Sequence, residues 1–127
     1  MTVASETPVD VTARMLEAAD TDIATFFSMF TEDCEFRLGN NEPVRGRQNI
    51  QEWVSGFLGG VAGLRHVILE MWSDGDVAAA RADVTYSMQN GATFTLPVVT
   101  RTRVRHGQAC EYLIFMDPGP VIAASTS

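Results

Sequence analysis

The sequence predicts an α+β fold, with three helices in its first half packed on a curved, mainly antiparallel sheet supplied chiefly by its second half. Two observations carry this. Apolar residues recur at helical spacing up to about residue 58 and at a spacing of two beyond it. The later segments are also parted by short Gly-containing turns, as the strands of a meander are. The 127 residues suit one domain, residues 1–127, with its core over about 9–121.

The segment from Val9 to Ala19 has helical composition. Asp22 then reads as an N-cap before Ile23, Phe26, Phe27 and Phe30, which stand at i, i+3, i+4 and i+7. Glu32-Asp33 ends that helix, and Cys34 to Leu38 reads as a short strand before the Gly39–Pro43 loop. Ile50, Trp53, Val54, Phe57 and Leu58 form a further helical stripe, stopped by Gly59-Gly60. Four strands follow: Leu64–Ser73, Val77–Gln89, Ala92–Arg105 and Cys110–Met116. Asn90-Gly91 is the strongest turn signal and predicts a tight hairpin with φ > 0 at both central residues. Pro97 inside a strand predicts a bulge or an edge. The small, polar first seven residues and the final Ala-Ala-Ser-Thr-Ser read as frayed ends.

Composition narrows the function. Nine basic residues against sixteen acidic ones give a net charge of −7, which argues against nucleic acid and anionic membrane as partners. Every basic residue is Arg, so no lysine can serve as a Schiff base, a phosphate-loop cation or a general base. Two cysteines, Cys34 and Cys110, build neither a zinc site nor a disulfide framework and read as buried thiols in a reducing compartment. The start of the chain lacks a secretory pattern, and no apolar run reaches membrane-spanning length. A cytoplasmic protein is expected. No metal cluster, Gly-rich phosphate loop or cofactor signature appears, and no cofactor is expected.

Two groups of side chains carry possible chemistry. Arg81 and Asp83 lie two apart on a strand and share a face, opposite the apolar Ala80, Ala82, Val84 and Tyr86. Either the charged face meets water, or it lines a cavity while the apolar face meets a second subunit. His66 shares a face with Ile68, Glu70 and Trp72, and imidazole is the side chain that both takes and gives a proton near neutral pH. Arg101, Arg103 and Arg105 read as a solvated outer stripe, and Asp117 before Pro118 as a turn or cap.

Four strings, in order, resemble the SnoaL-like, nuclear transport factor 2-like superfamily of cone-shaped α+β rolls. They are Phe30–Phe36, Val44–Ile50, Leu64–Ile68 ahead of Gly75–Ala78, and Phe115–Val121. That superfamily includes polyketide cyclases, isomerases, dehydratases, epoxide hydrolases and non-catalytic binders. Arg81-Ala82-Asp83 matches the Arg-x-Asp of limonene-epoxide-hydrolase-like proteins, while Ile114 stands where they carry a second acid and Phe36 and Leu38 where they hold a water. Ketosteroid-isomerase-like enzymes have an Asp base where this chain has Leu38 and a Tyr where it has Met15. Scytalone-dehydratase-like enzymes place a pocket His where His66 stands.

The resemblance implies an acid/base enzyme, without cofactor, on a small apolar oxygenated substrate. Asp83 would move the proton, Arg81 would orient it or hold a developing oxyanion, and His66 would be the complementary acid or base. Met15, Phe27, Phe36 and Leu38 would wall the pocket with Trp53, Phe57, Tyr112 and Ile114. Epoxide opening and a non-catalytic ligand-binding or dimerisation module are the alternatives. A sheet with two apolar faces needs two partners, so a homodimer through the sheet is also expected.

Overall fold

A computed structural model describes residues 6–125. Helix α1 spans Pro8–Thr21 and α2 spans Ile23–Ser28. Strand β1 (Phe30–Leu38) and the two-residue β2 (Val44–Arg45) lead to α3 (Arg47–Phe57) and a single 3-10 turn, Leu58–Gly60. Four long strands follow, β3 (Val61–Asp74), β4 (Val77–Met88), β5 (Thr93–Arg105) and β6 (Gln108–Phe115), and then α4 (Gly119–Ser125). The sheet is open and curved, in the order β2-β1-β6-β5-β4-β3, and every pairing is antiparallel except β1 with β6. This is the expected α+β architecture, with a fourth helix added after the sheet.

Local chemistry sets the helix boundaries. Thr7 caps α1 by accepting from the Asp10 backbone N–H at 3.1 Å, while the Asp10 carboxylate accepts from the Thr7 N–H at 3.2 Å, a reciprocal capping box. Asp22 ends α1 and caps α2 through the Thr25 N–H at 3.3 Å. The second helix stops at Ser28, so Phe30 opens β1 instead of closing the helical stripe. Its ring is fully buried against Phe26, Phe36 and Tyr112, which is where the core needs it. Thr12 of α1 and Thr102 of β5, both fully buried, share a 2.6 Å hydrogen bond that ties the helix to the sheet.

One turn corrects an expectation, and Pro97 meets the edge alternative of its own. At Asn90-Gly91 only Gly91 takes positive φ (+89°); the Gly91 N–H donates to the Met88 carbonyl at 3.0 Å and the Met88 N–H to the Ala92 carbonyl at 2.8 Å. That is a three-residue loop with Gly in the left-handed position. The two-residue turn with both φ positive is His106-Gly107, at +53° and +75°. Pro97 pairs in register with Asp83 and makes no bulge. It sits where β5 has outrun β6, whose pairing begins at Val99, so that stretch of β5 is an edge. The frayed ends expected over the first seven and last five residues are corrected where the structure describes them, since Thr7 caps α1 and Ala123–Ser125 belong to α4; residues 1–5 and 126–127 lie outside the described residues.

Candidate functional site

Ala82, Val84 and Tyr86 of β4 are buried against the helices, and the residues between them point the other way. The concave side of the sheet and the helices above it enclose a narrow cavity of about 60 Å³. Phe36, Leu38, Trp53, Phe57, Tyr112 and Ile114 line it. Phe26 replaces Phe27, which is buried beside it, and Met15 is fully buried under α1 without reaching the cavity. Phe36 stacks on Tyr112 and Trp53 on Phe57, with interplanar angles of 6° and 10°, so the walls are flat aromatic faces.

Against this apolar lining, one ionisable pair stands out. His66 lies on the cavity side of β3, opposite Val84. Its Nδ1 lies 2.7 Å from Asp20 Oδ1, and its backbone N–H donates to Asp20 Oδ2, also at 2.7 Å. Both side chains are mostly buried, at 12% and 13% exposure. A carboxylate only accepts, so Nδ1 carries a proton, and whenever the ring is neutral its free lone pair is on Nε2. Asp20, held by two donors of one residue, fixes the tautomer and the plane of the imidazole. Nε2 is then the nitrogen left for a ligand in the cavity.

Three further polar groups reach the cavity wall. The Tyr112 hydroxyl is bonded to Thr100, and burial pushes it far above the ordinary phenol range. Burial also raises the Tyr86 phenol, to about 12, with the Asp20 charge adding to the shift, so it stays an O–H donor at neutral pH.

Arg81 and Asp83 do not enter the cone. Both lie on the convex face of β4, away from the cavity, and the Arg81 Nε donates to Glu70 Oε1 at 2.7 Å with both side chains about half exposed (50% and 56%). The reason is the alternation itself: Ala80, Ala82, Val84 and Tyr86 are the better residues to bury, and a buried Arg–Asp pair would lose its hydration. His66 therefore meets neither of them, nor Glu70; a bulge between Ile68 and Glu70 puts Glu70 on the convex face beside Arg81. Arg101 and Arg103 share Glu111, Arg103 also reaches Asp76, and Arg105 reaches Asp33, so the arginine stripe is a set of outer-face ion pairs. The Asp117 carboxylate accepts from the Gly119 N–H at 2.9 Å at the start of α4, a structural cap. Cys34 is buried, which raises its thiol to about 12, and Cys110 is a free, partly buried thiol. Among the described residues no group of His, Cys, Asp and Glu has metal-binding geometry, and no helix is long and apolar enough to cross a membrane.

Asp20 is the functional candidate that sequence reasoning missed. It stands 46 residues from His66, beyond the reach of any local spacing. One signal was available: an acid in the last turn of α1 opposes the helix dipole, and a broken local rule marks a residue retained for another reason.

Comparison with known proteins agrees with this architecture. The SnoaL-like domain family matches residues 12–112. The chain belongs to that family. No curated protein matches the sequence. Among solved structures, a candidate SnoaL-like polyketide cyclase from Jannaschia sp. CCS1 is 19% identical, with a TM-score of 0.80 over 94% of this chain and 92% of that one. A protein with a ketosteroid isomerase-like fold from Catenulispora acidiphila, in complex with trimethylamine, is 18% identical, with a TM-score of 0.78 and 95% of each chain covered. An LEH-like epoxide hydrolase from M. tuberculosis is 14% identical, with a TM-score of 0.77 over 94% and 89% of the two chains. At these identities the likeness concerns the fold; the first and third neighbours differ in the activity their names give, and the second's name gives a fold alone.

Proposed function

We propose that this SnoaL-like protein is a cofactor-independent acid/base enzyme acting on a small, largely apolar, oxygenated molecule, with His66 as the group that moves the proton. The observation that supports it is the Asp20–His66 pair on the wall of an otherwise apolar, aromatic cavity. A neutral imidazole with Nδ1 donated to a carboxylate presents a basic Nε2, and the imidazolium formed on proton capture is offset by Asp20. Flat aromatic walls suit a planar substrate and keep water from competing for the proton. An isomerase, cyclase or dehydratase step fits this single mobile proton. Epoxide opening fits less well, since Asp83 is on the convex face and Ile114 stands on the cavity wall. The homodimer expected through the sheet belongs to the same reading, supported by the exposure of Val67, Leu69, Trp72 and Phe115. Light scattering tests it: Trp72→Arg should turn a dimer into a monomer, and a monomeric parent protein overturns it.

The catalytic test follows proton exchange in D2O by NMR across a panel of small apolar ketones and phenols. His66→Ala should lower the exchange rate of any responsive compound roughly a hundredfold or more. Equal rates for parent and variant would overturn the assignment and leave the binding module as the reading.

A further inference from the structure

We infer that Tyr86 is the specificity-determining residue of the cavity, a hydrogen-bond donor that selects ligands with an acceptor oxygen beside the atom served by His66. The argument begins with the partner Tyr86 has. Its hydroxyl lies 3.7 Å from the Met116 sulfur, and a thioether is a weak acceptor. The side chain is 5% exposed, so this poor bond is made where water does little to replace it. Both Tyr86 and Met116 line the cavity. The other buried phenol on the wall, Tyr112, is matched to Thr100. Tyr86 is thus the phenol on this wall whose donor is spent on sulfur, and a ligand oxygen would be the better acceptor.

Position supplies the second half. On the paired strands His66 stands opposite Val84, and Tyr86 lies two residues further along β4, opposite Leu64. His66 and Tyr86 are therefore diagonal neighbours on one face, with backbones roughly 7–8 Å apart, near enough for one small molecule to touch both side chains. A neutral, flat, apolar molecule carrying one carbonyl or ether oxygen places that oxygen at Tyr86 and an adjacent hydrogen at His66. A hydrocarbon of the same outline satisfies the aromatic walls and leaves the phenol on sulfur.

The inference rests on the cavity being the site, as proposed above, but not on His66 moving a proton. Acetophenone and α-methylstyrene form a suitable probe pair, equal in outline, with C=O in one replaced by C=CH2 in the other. Titration of the full-length protein, read by NMR at the Met116 methyl, gives both affinities. Tyr86→Phe should weaken acetophenone about 5- to 10-fold and leave α-methylstyrene unchanged or slightly tighter. His66→Ala should leave that difference in place, so that loss of proton exchange and loss of selectivity report on separate claims. Equal weakening of both probes would assign Tyr86 a role in shape alone and overturn the inference. So would an unchanged acetophenone affinity, or binding of neither probe up to its solubility.

Discussion

Ala82, Val84 and Tyr86 share a strand with Arg81, Asp83 and Thr85, and the two sets face different surroundings. The apolar set is buried among aromatic rings at the cavity. The polar set faces outward, where Arg81 meets Glu70 and Thr85 meets Thr95 across the strands, each at the half-exposed surface. The same contrast runs through the whole sheet. On the concave side the Asp20–His66 pair is mostly sheltered, whereas on the convex side Arg101, Arg103, Glu111 and Asp76 form a partly hydrated chain. Charge is thus plentiful where water screens it and scarce where it could do chemistry. A charged motif on a strand points to a site only once its face is known.

Substitutions can break this contrast. Phe30→Ala, which empties the fully buried centre of the concave aromatic cluster, should cost about 3–5 kcal/mol in a denaturant melt. Thr102→Val removes the tie from β5 to α1 but leaves Thr12 bonded to the Pro8 carbonyl, so a loss of about 1 kcal/mol is expected by the same measurement. On the convex side Arg81→Met should change stability by under about 1 kcal/mol, because its partner Glu70 stays hydrated. A loss several times larger would show that the outer face is covered in solution. Asp83→Asn should fall within about 0.5 kcal/mol.

A further small effect is a pH dependence. The hydrogen bond from Arg101, with help from Arg103, holds the Glu111 carboxyl below the ordinary glutamate range. A carboxylate whose folded pKa is depressed stabilises the fold above its unfolded pKa and loses that contribution as pH falls through the folded value. Melts of parent and Glu111→Gln should therefore differ near neutrality by less than about 1 kcal/mol and converge as acid protonates the folded carboxyl. A gap that widened in acid would reverse the assignment.

Most of the fold was legible because periodicity is local. The Ile50–Leu58 stripe and the alternation in β3 to β6 could be read within a few residues of each other. Phe30 was misplaced because a Phe at helical spacing and a Phe opening a buried strand are alike until the core is assembled. The turns show a similar limit: Asn90-Gly91 and His106-Gly107 both signal hairpins, and the loop length that chooses the turn type depends on strand register. The site was half legible. His66 and several of the aromatic residues named from the family pattern stand on the cavity wall, but which face of β4 turns inward is a competition between two sets of side chains for one cavity. Asp20 belongs to His66 through the docking of α1 on β3; its own neighbourhood marks an acid out of place at the end of a helix but does not name the partner.

The one parallel pairing in the sheet bears on how the protein is made. Until β6 has been synthesised, β1 has only the two residues of β2 beside it, and β5 presents an open edge. A ribosome that has delivered everything up to Arg105 therefore holds two sheet fragments with unpaired backbone, and one strand of eight residues joins them both. Assembly waits on β6, so a chain cut before Gln108 has two sticky edges in place of a slightly smaller sheet. Val121 of α4, fully buried just beyond β6, then closes the structure from the same end of the chain.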